Sequence, residues 1–124
     1  MKASQGPAKG FGNTLQAGAS AFAITVAFEL ADGAFAEFHR LVKENAALSV
    51  ELEPGCLRFD VLIPAAADAA QVFLYEIYSN RAAFDLHLAS DHYRAFDAKT
   101  RALVSKKTVL SFTVEENAKF QGIS

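Results

Sequence analysis

The sequence has one cysteine, no long apolar run and little net charge, and each of these absences excludes a class of protein. The single cysteine, Cys56, cannot form an intramolecular disulfide, which excludes a disulfide-stapled scaffold and fits a reducing cytoplasm. No apolar run approaches the roughly 20 residues that a membrane span needs. At a net charge of −2 the chain carries no basic stripe, so neither nucleic acid nor an anionic membrane is expected as a partner.

The chain holds enough hydrophobic material for one core. Hydrophobic residues make up 52% of the 124 residues and charged residues 21%, a balance that excludes wholesale disorder. Residues 1–20 are rich in Gly, Ala, Ser and Gln and lack the continuous apolar block of a signal peptide. We therefore expect a flexible leader over 1–20, one soluble cytoplasmic domain over 21–115 and a tail over 116–124.

The spacing of hydrophobic residues changes along the domain between a period of two residues, typical of strands, and one of 3.6 residues, typical of helices. FAITVAFEL alternates and predicts a first strand, and a helical period predicts a helix from Ala34 to about Leu52, capped by Asp32 and ended by EPG. CLRFDVLI and VFLYEIY, rich in β-branched and aromatic residues, predict two further strands. A helix near 80–89, another from about 90 to 104 and a last strand, TVLSFTV, follow. The order β-α-β-β-α-β predicts an α+β, ferredoxin-like fold with one antiparallel sheet.

The second and third predicted strands are apolar on both sides. Strict alternation places Leu57, Phe59, Val61, Phe73, Tyr75 and Ile77 on one side and Leu62, Leu74 and Tyr78 on the other. A sheet with one wet face would alternate with polar residues there. Because the helices cover a single side, we expect a second copy of the sheet to cover the other in a two-fold homodimer.

Two polar residues interrupt the apolar stripe of the first predicted helix. Asn45 and Ser49 lie one turn apart in the middle of that stripe. They are either buried groups satisfied by the backbone, with Ser49 bonding back one turn, or the lining of a ligand cavity.

Two histidines and one carboxylate raise the same question. His87 faces the interior, and a helix break at Ser90, a good N-cap, would let it converge with His92. Each imidazole is either a structural core group or a ligand contact. Glu76 lies in a strand expected to be buried on both faces, so it must be paired or pKa-shifted. It is either paired with Arg58 or a strand neighbour, or it is a general base or an anchor for His87.

No metal site is predicted from the spacing of the possible ligands. Three histidines, at 39, 87 and 92, have no close-spaced ligand set around them. A glycine-rich phosphate loop, a nucleophile elbow and a Cys-His dyad are also missing. Arg58 and Asp60 share a strand face and are expected to form cross-strand salt bridges, while Cys56 is expected to be a small buried residue.

The pattern resembles the antibiotic biosynthesis monooxygenase superfamily of dimeric α+β barrels. The resemblance covers about Phe22 to Val114 and rests on Asn45 and Ser49, on EPGCLRFDVL, on FLYEIY and on His87 within FDLHLASDHY. Within the superfamily the chain is most similar to small bacterial quinol-monooxygenase-like proteins and to isomerases that process phosphorylated autoinducer.

The resemblance implies a homodimer with a ligand pocket between the helices and the sheet of each subunit. It further implies oxygenation of a small aromatic or quinol-like substrate by dioxygen, with no cofactor. Such chemistry needs a base, donors for a developing oxyanion and a dry aromatic pocket. The implied catalytic residues are Glu76, His87, Asn45 and His92, with Glu76 or His87 as the base. The implied substrate-binding residues are Ser49, Phe59, Tyr75, Tyr78, Phe96 and Arg58.

The chain departs from the family pattern at three positions. Tyr78 stands where the third strand often carries tryptophan, and Asp97 stands where the haem-degrading branch has its axial histidine, which disfavours haem. Ala46 stands where the autoinducer isomerases have a histidine, and only Arg58 and Lys99 are available for a phosphate. An isomerase of a small phosphorylated carbonyl compound is therefore the first alternative. A non-catalytic ligand-binding or stress-response barrel is the second.

Overall fold

The computed structural model describes residues 20–65 and 70–116, which form one antiparallel sheet of four strands with the helices on one face. The elements are β1 (Phe22–Leu30), α1 (Phe35–Leu52), β2 (Cys56–Leu62), β3 (Gln71–Tyr78), α2 (Arg81–Leu88), α3 (Asp91–Thr100) and β4 (Val104–Thr113). The strand order β2-β3-β1-β4 with antiparallel neighbours confirms the predicted ferredoxin-like α+β fold. The expected leader falls outside the described residues apart from residue 20, and the expected tail apart from residue 116.

The hydrophobic core lies between the inner face of the sheet and the helices. Its largest fully buried side chains are Tyr78, Phe38, Ile24, Val42 and Val72. Removing side chains of this size from water contributes about 1.5–3 kcal/mol each. The alternation in β1 and the helical stripe of α1 therefore determine which faces meet. No described helix is both long and apolar enough to cross a membrane.

Two element boundaries differ from those expected. α1 begins after Ala34, which makes no side-chain cap hydrogen bond, so Asp32 is not the predicted N-cap. α3 ends at Thr100, and after a 3-10 turn β4 begins at Val104, earlier than predicted. The polar segment SKK is strand because it pairs with Phe28–Leu30 of β1, and this pairing overrides a weak strand propensity.

A register shift in β2 corrects the predicted sheet faces. The pairing of β2 with β3 shifts between Cys56 and Arg58, so Phe59 lies opposite Glu76 and Arg58 lies opposite Ile77. Since a one-residue shift exchanges the two faces of a strand, Phe59 and Val61 share the helix-facing side with Leu74 and Tyr78, and not the side of Phe73 and Tyr75 with which they were grouped. The same shift turns Arg58 to the outer face.

The outer face of the sheet is apolar and exposed, as the uncovered-face argument expects. Leu62, Phe73, Leu110 and Phe112 lie on it, and each exposes between 38% and 54% of its surface. No element within 20–65 and 70–116 covers this face.

Gly55 allows α2 to pack closely against the turn that ends α1. A Cβ atom at Gly55 would lie 2.5 Å from Cβ of Ala83 and 3.1 Å from Oγ of Ser79. Because the Ala83 methyl group cannot rotate away, we expect Gly55→Ala to lower the free energy of unfolding by about 1–3 kcal/mol. Urea unfolding measures this loss.

A double-mutant cycle with Ala83→Gly tests whether that contact is the cause. Ala83→Gly alone should cost roughly 1 kcal/mol because glycine is a poor helix former. It also removes the atom that Gly55→Ala meets. The double variant should therefore be less destabilised than the sum of the two single variants. Additive losses would contradict the close contact.

Candidate functional site

A cavity of about 260 Å³ lies between the inner face of the sheet and the helices. Its wall is mostly apolar: Ile24, Val26, Phe28, Phe59, Leu74, Phe84, Leu88, Tyr93, Phe96 and Val109. Four polar side chains join this wall: Asn45, Glu76, His87 and Lys107. The cavity thus has the composition of a small-molecule site, an apolar enclosure with a few polar groups.

Glu76 is a buried carboxylate in the cavity wall, with 3% of its surface exposed. Its Oε1 accepts a hydrogen bond of 2.6 Å from the hydroxyl of Tyr78. Burial raises the pKa of Glu76 to about 7, against the opposing effects of the Tyr78 hydroxyl and the Lys107 charge. Burial and the neighbouring Glu76 also raise the pKa of Tyr78. Glu76 therefore exchanges its proton near neutral pH.

His87 and His92 converge on a single carboxylate, that of Glu53. Nδ1 of His87 lies 2.8 Å from Oε2 of Glu53, and Nε2 of His92 contacts the same oxygen. The predicted break at Ser90 makes this possible, because its hydroxyl caps α3 at the backbone N–H of Tyr93. The rings of His87 and His92 lie 6.0 Å apart.

The Glu53 contact determines which nitrogen of His87 is available. An ionised carboxylate can only accept hydrogen bonds, so the proton of a neutral His87 lies on Nδ1 and the lone pair on Nε2. Burial lowers the pKa of His87, although the hydrogen bond and charge of Glu53 raise it in part. Because His87 lines the cavity, Nε2 is a possible proton acceptor for a ligand.

Asn45 and Ser49 take different roles. Ser49 is fully buried and its Oγ donates back one turn to the carbonyl oxygen of Asn45, at 2.7 Å. It does not line the cavity, so the structural alternative describes Ser49. Asn45 does line the cavity, and its Oδ1 is buried without a hydrogen-bond partner among the described residues. Such an atom has unused capacity to accept a hydrogen bond from a ligand.

Four other residues expected at the site lie away from the cavity wall. Arg58 lies on the outer face because of the register shift in β2, and Tyr75 lies there because it alternates with Leu74 and Glu76 in β3. The Arg58 guanidinium lies 5.6 Å from the centroid of the Tyr75 ring. Arg58 was expected to form a cross-strand salt bridge. It instead pairs with Asp60 of the same strand, β2, at 2.7 Å. Tyr78 is fully buried behind Glu76, and His92, expected as a catalytic residue, contacts Glu53 and does not line the cavity. Phe59 and Phe96 do line the cavity.

Sequence reasoning missed Glu53 and Lys107. Glu53 is the first residue of EPG, which predicts only the end of the first helix. The one local sign of a further role is that a carboxyl group lies beside a turn. Glu76 was considered as the anchor for His87, but the anchor is Glu53. Lys107 lies before the predicted start of the last strand, so its face could not be assigned. In the structure it lies opposite Phe28 and enters the cavity wall.

A sequence model of the antibiotic biosynthesis monooxygenase family matches residues 21–99, which include every polar residue of the cavity except Lys107. The chain belongs to the antibiotic biosynthesis monooxygenase family. No curated protein matches it.

Solved structures share the fold of this family member. A protein from Mycobacterium tuberculosis is 25% identical, with a TM-score of 0.73 over 81% of this chain and 100% of that chain. A protein from Nitrosomonas europaea, provisionally named an antibiotic biosynthesis monooxygenase, is 21% identical, with a TM-score of 0.73 over 78% and 92%. One from Bacteroides thetaiotaomicron with the same provisional name is 21% identical, with a TM-score of 0.75 over 82% and 97%.

The raised pKa of Glu76 makes its contribution to stability dependent on pH. The unfolded chain releases this proton near pH 4.5 and the folded chain near pH 7, so stability falls as the pH rises between these values. The loss at pH 8 is on the order of 3 kcal/mol. Glu76→Gln keeps an acceptor for Tyr78 but does not titrate, so its stability relative to the wild type should rise over this range.

Urea unfolding of both proteins at about pH 4.5, 6 and 8 measures this difference. All other titrating groups, His87 included, are common to the two proteins, so their contributions to the free energy of unfolding cancel in the comparison. Parallel dependence of the two stabilities on pH would contradict the raised pKa.

Proposed function

We propose that the protein is a monooxygenase that oxidises a small aromatic or quinol-like compound with dioxygen and without an added cofactor. One observation carries the proposal: Glu76, with its pKa of about 7, lies in the wall of an apolar cavity together with His87 and Asn45. A phenol or quinol bound there meets a base in surroundings that exclude most water. Membership of the family supports the same type of activity.

The cavity volume limits the substrate to one or two rings. An apolar cavity of about 150 Å³ accommodates benzene. The 260 Å³ here leaves room for a second ring or for ring substituents. The aromatic side chains Phe28, Phe59, Phe84 and Phe96 provide surfaces for a flat ligand.

The oxidation balances without an external reductant when the substrate is a quinol. A quinol and dioxygen give a hydroxyquinone and water: the ring loses two hydrogens, gains one oxygen atom and supplies all four electrons. Removal of a hydroxyl proton first makes the ring anion electron-rich enough to reduce dioxygen. The resulting ring peroxide breaks its O–O bond, leaving one oxygen on the ring and releasing the other in water.

Each polar residue of the cavity has a role in this scheme. Glu76 removes the hydroxyl proton, and Lys107 stabilises the resulting negative charge through its own charge. Nε2 of His87 accepts a hydrogen bond from a second hydroxyl, and Asn45 binds the oxygen substituent of the ring. His92, first expected as a catalytic donor, is a positioning residue that acts on His87 through Glu53.

The alternative isomerase function has less support. A phosphate ester needs several cations, and Lys107 is the single cationic side chain in the described cavity wall. Neither of the two cationic side chains that were available for a phosphate lines this cavity. Arg58 lies on the outer face, and Lys99 lines a separate small pocket with His92. A non-catalytic binding role is distinguished by the oxygen assay below.

Oxygen consumption with a panel of one- and two-ring quinols tests the proposed activity. Glu76→Gln should lower kcat/KM by about 10²–10⁴-fold, because general bases contribute that much to rates. Glu51→Gln, the same change on an exposed part of α1, should have no effect. In the wild type kcat/KM should fall as the pH drops below about 7, where Glu76 becomes protonated.

A second pair of variants tests the histidine. His87→Ala should lower turnover, whereas His39→Ala, a partly exposed histidine of α1, should not. If no quinol of the panel drives oxygen uptake, or if Glu76→Gln turns over as fast as the wild type, the monooxygenase proposal fails. A non-catalytic barrel would then bind the same quinols without consuming oxygen.

We propose in addition that the chain is a cytoplasmic homodimer joined through the outer face of the sheet. The exposed apolar side chains Leu62, Phe73, Leu110 and Phe112 lie together on that face. A stable dimer buries roughly 800 Å² on each partner, and a four-stranded sheet face offers an area of that order. A reducing location is compatible with the lone buried thiol of Cys56.

Placing charge on the outer face should separate the dimer. We expect light scattering to give twice the chain mass of 13.3 kDa for the wild type and one chain mass for the double variant Phe73→Lys/Leu110→Lys. Two lysines buried against an apolar partner would lose their hydration. The control Leu86→Lys adds charge at a 71% exposed position of α2 and should leave the dimer intact. A monomeric wild type would contradict this proposal.

A further inference from the structure

Glu53, His87 and His92 form a compact cluster next to the cavity, and His87 is the member that it shares with the cavity wall. One carboxylate oxygen and two imidazole nitrogens lie within 4.8 Å of one another. Of the three residues, only His87 lines the cavity. They come from the C-cap of α1, from α2 and from α3, so the fold and not the period of one helix brings them together.

The donor set is one that binds transition metals. Two imidazoles and one carboxylate are the ligands of many zinc sites, with a fourth position left for another group. Imidazole nitrogen favours Zn²⁺ and its first-row neighbours over Mg²⁺ and Ca²⁺, which prefer oxygen ligands. The chemistry of the cluster therefore points to a divalent transition metal.

The charge of Glu53 has no permanent counter-charge nearby. Within 20–65 and 70–116, its ion-pair partners are the two histidines alone, and neither lysine nor arginine contacts it. The second carboxylate oxygen, Oε1, is buried and has no hydrogen-bond partner among these residues. A buried carboxylate with an unused oxygen is costly unless a cation or donor reaches it.

The distances need only a small adjustment to admit an ion. Metal–ligand bonds of about 2.1 Å at tetrahedral angles place the ligand atoms roughly 3.4 Å apart. Nδ1 of His87 now lies 2.8 Å from Oε2 of Glu53, so the carboxylate must withdraw by less than about 1 Å. Rotation of the Glu53 side chain achieves this, and it can also present the unpartnered Oε1. The two imidazole nitrogens lie within 4.8 Å of each other and must approach by at most about 1.4 Å.

We propose that Glu53, His87 and His92 form a binding site for one divalent first-row metal ion, with Zn²⁺ as the ion of choice. The site goes beyond the proposed oxygenation and departs from the expectation that no metal is bound. It was not recognisable from spacing because Glu53 lies 34 positions before His87. A bound ion would replace the hydrogen bonds to Glu53 and coordinate Nδ1 of His87, so the ring proton would lie on Nε2. In the metal-loaded protein Nε2 would then donate a hydrogen bond to a ligand, whereas it accepts one in the metal-free protein.

Calorimetric titration of the full chain with Zn²⁺ tests the site. The protein is prepared without a polyhistidine tag and dialysed against a chelator. We expect one ion per chain and a rise in melting temperature that grows with free Zn²⁺. Co²⁺ should give visible d–d absorption bands of a site with four or five ligands.

Substitutions in the cluster should abolish this binding. Glu53→Gln and His92→Ala should each weaken Zn²⁺ binding by more than the roughly 10–100-fold that loss of an outer-shell partner causes. Glu53→Gln preserves the shape of the side chain, so it keeps the test valid if His92→Ala unfolds. His39→Ala, a histidine outside the cluster, should bind as the wild type does. Equal Zn²⁺ affinity in the wild type and Glu53→Gln would overturn the proposal.

Measuring oxygen uptake on the chelated and the Zn²⁺-loaded protein separates this proposal from the proposed function. Binding with turnover in both forms supports both proposals. Turnover without any binding overturns the metal site and leaves the monooxygenase. Binding without turnover in either form supports the site and overturns the monooxygenase. Turnover that requires the ion supports the site and overturns oxygenation without a cofactor.

Discussion

The largely buried carboxylate of Glu53 holds together the ends of three helices. It follows the last residue of α1, and it receives His87 from α2 and His92 from α3. Because His87 is also part of the cavity wall, the shape of the cavity depends on this junction. Removing the carboxylate would leave Nδ1 of His87 without an acceptor, a loss that costs about 1–3 kcal/mol, whereas Nε2 of His92 would keep the Ser90 hydroxyl at 3.2 Å.

The carboxylates of Glu53 and Glu76 differ in their surroundings and so in their chemistry. Glu53 receives two imidazole donors and lies beside the cavity, whereas Glu76 receives one hydroxyl donor and faces the cavity. Burial outweighs the single hydrogen bond at Glu76, which is why its pKa rises to about 7. Environment, and not residue type, thus gives one carboxylate a positioning role and makes the other suitable for proton transfer.

The element order could be predicted from the sequence, whereas the content of the cavity could only be predicted in part. Periods of two and 3.6 are local signals that were sufficient for β1 and α1, and the N-cap preference of serine was sufficient for the break at Ser90. The register shift between Cys56 and Arg58 has no local signal, and it exchanged the faces of Phe59 and Arg58. Glu53 was missed because its partners are far away in the sequence, and only the tertiary fold unites them.

The polar groups of the cavity explain why the inner region does not close into solid core. Filling it with hydrocarbon would leave the Glu76 carboxyl with the Tyr78 hydroxyl alone and Nε2 of His87 with no partner among the described residues, at a cost in free energy. A space lined in this way is polar enough to hold water in the free protein. A ligand that displaces that water must replace its hydrogen bonds, or it loses affinity. An unsubstituted aromatic ring cannot replace those hydrogen bonds. A quinol can, because it carries hydroxyl groups at two positions on the edge of its ring. In the proposed function, the same groups that keep the cavity open therefore select for hydroxylated rings, which are the rings that can give up a proton to Glu76.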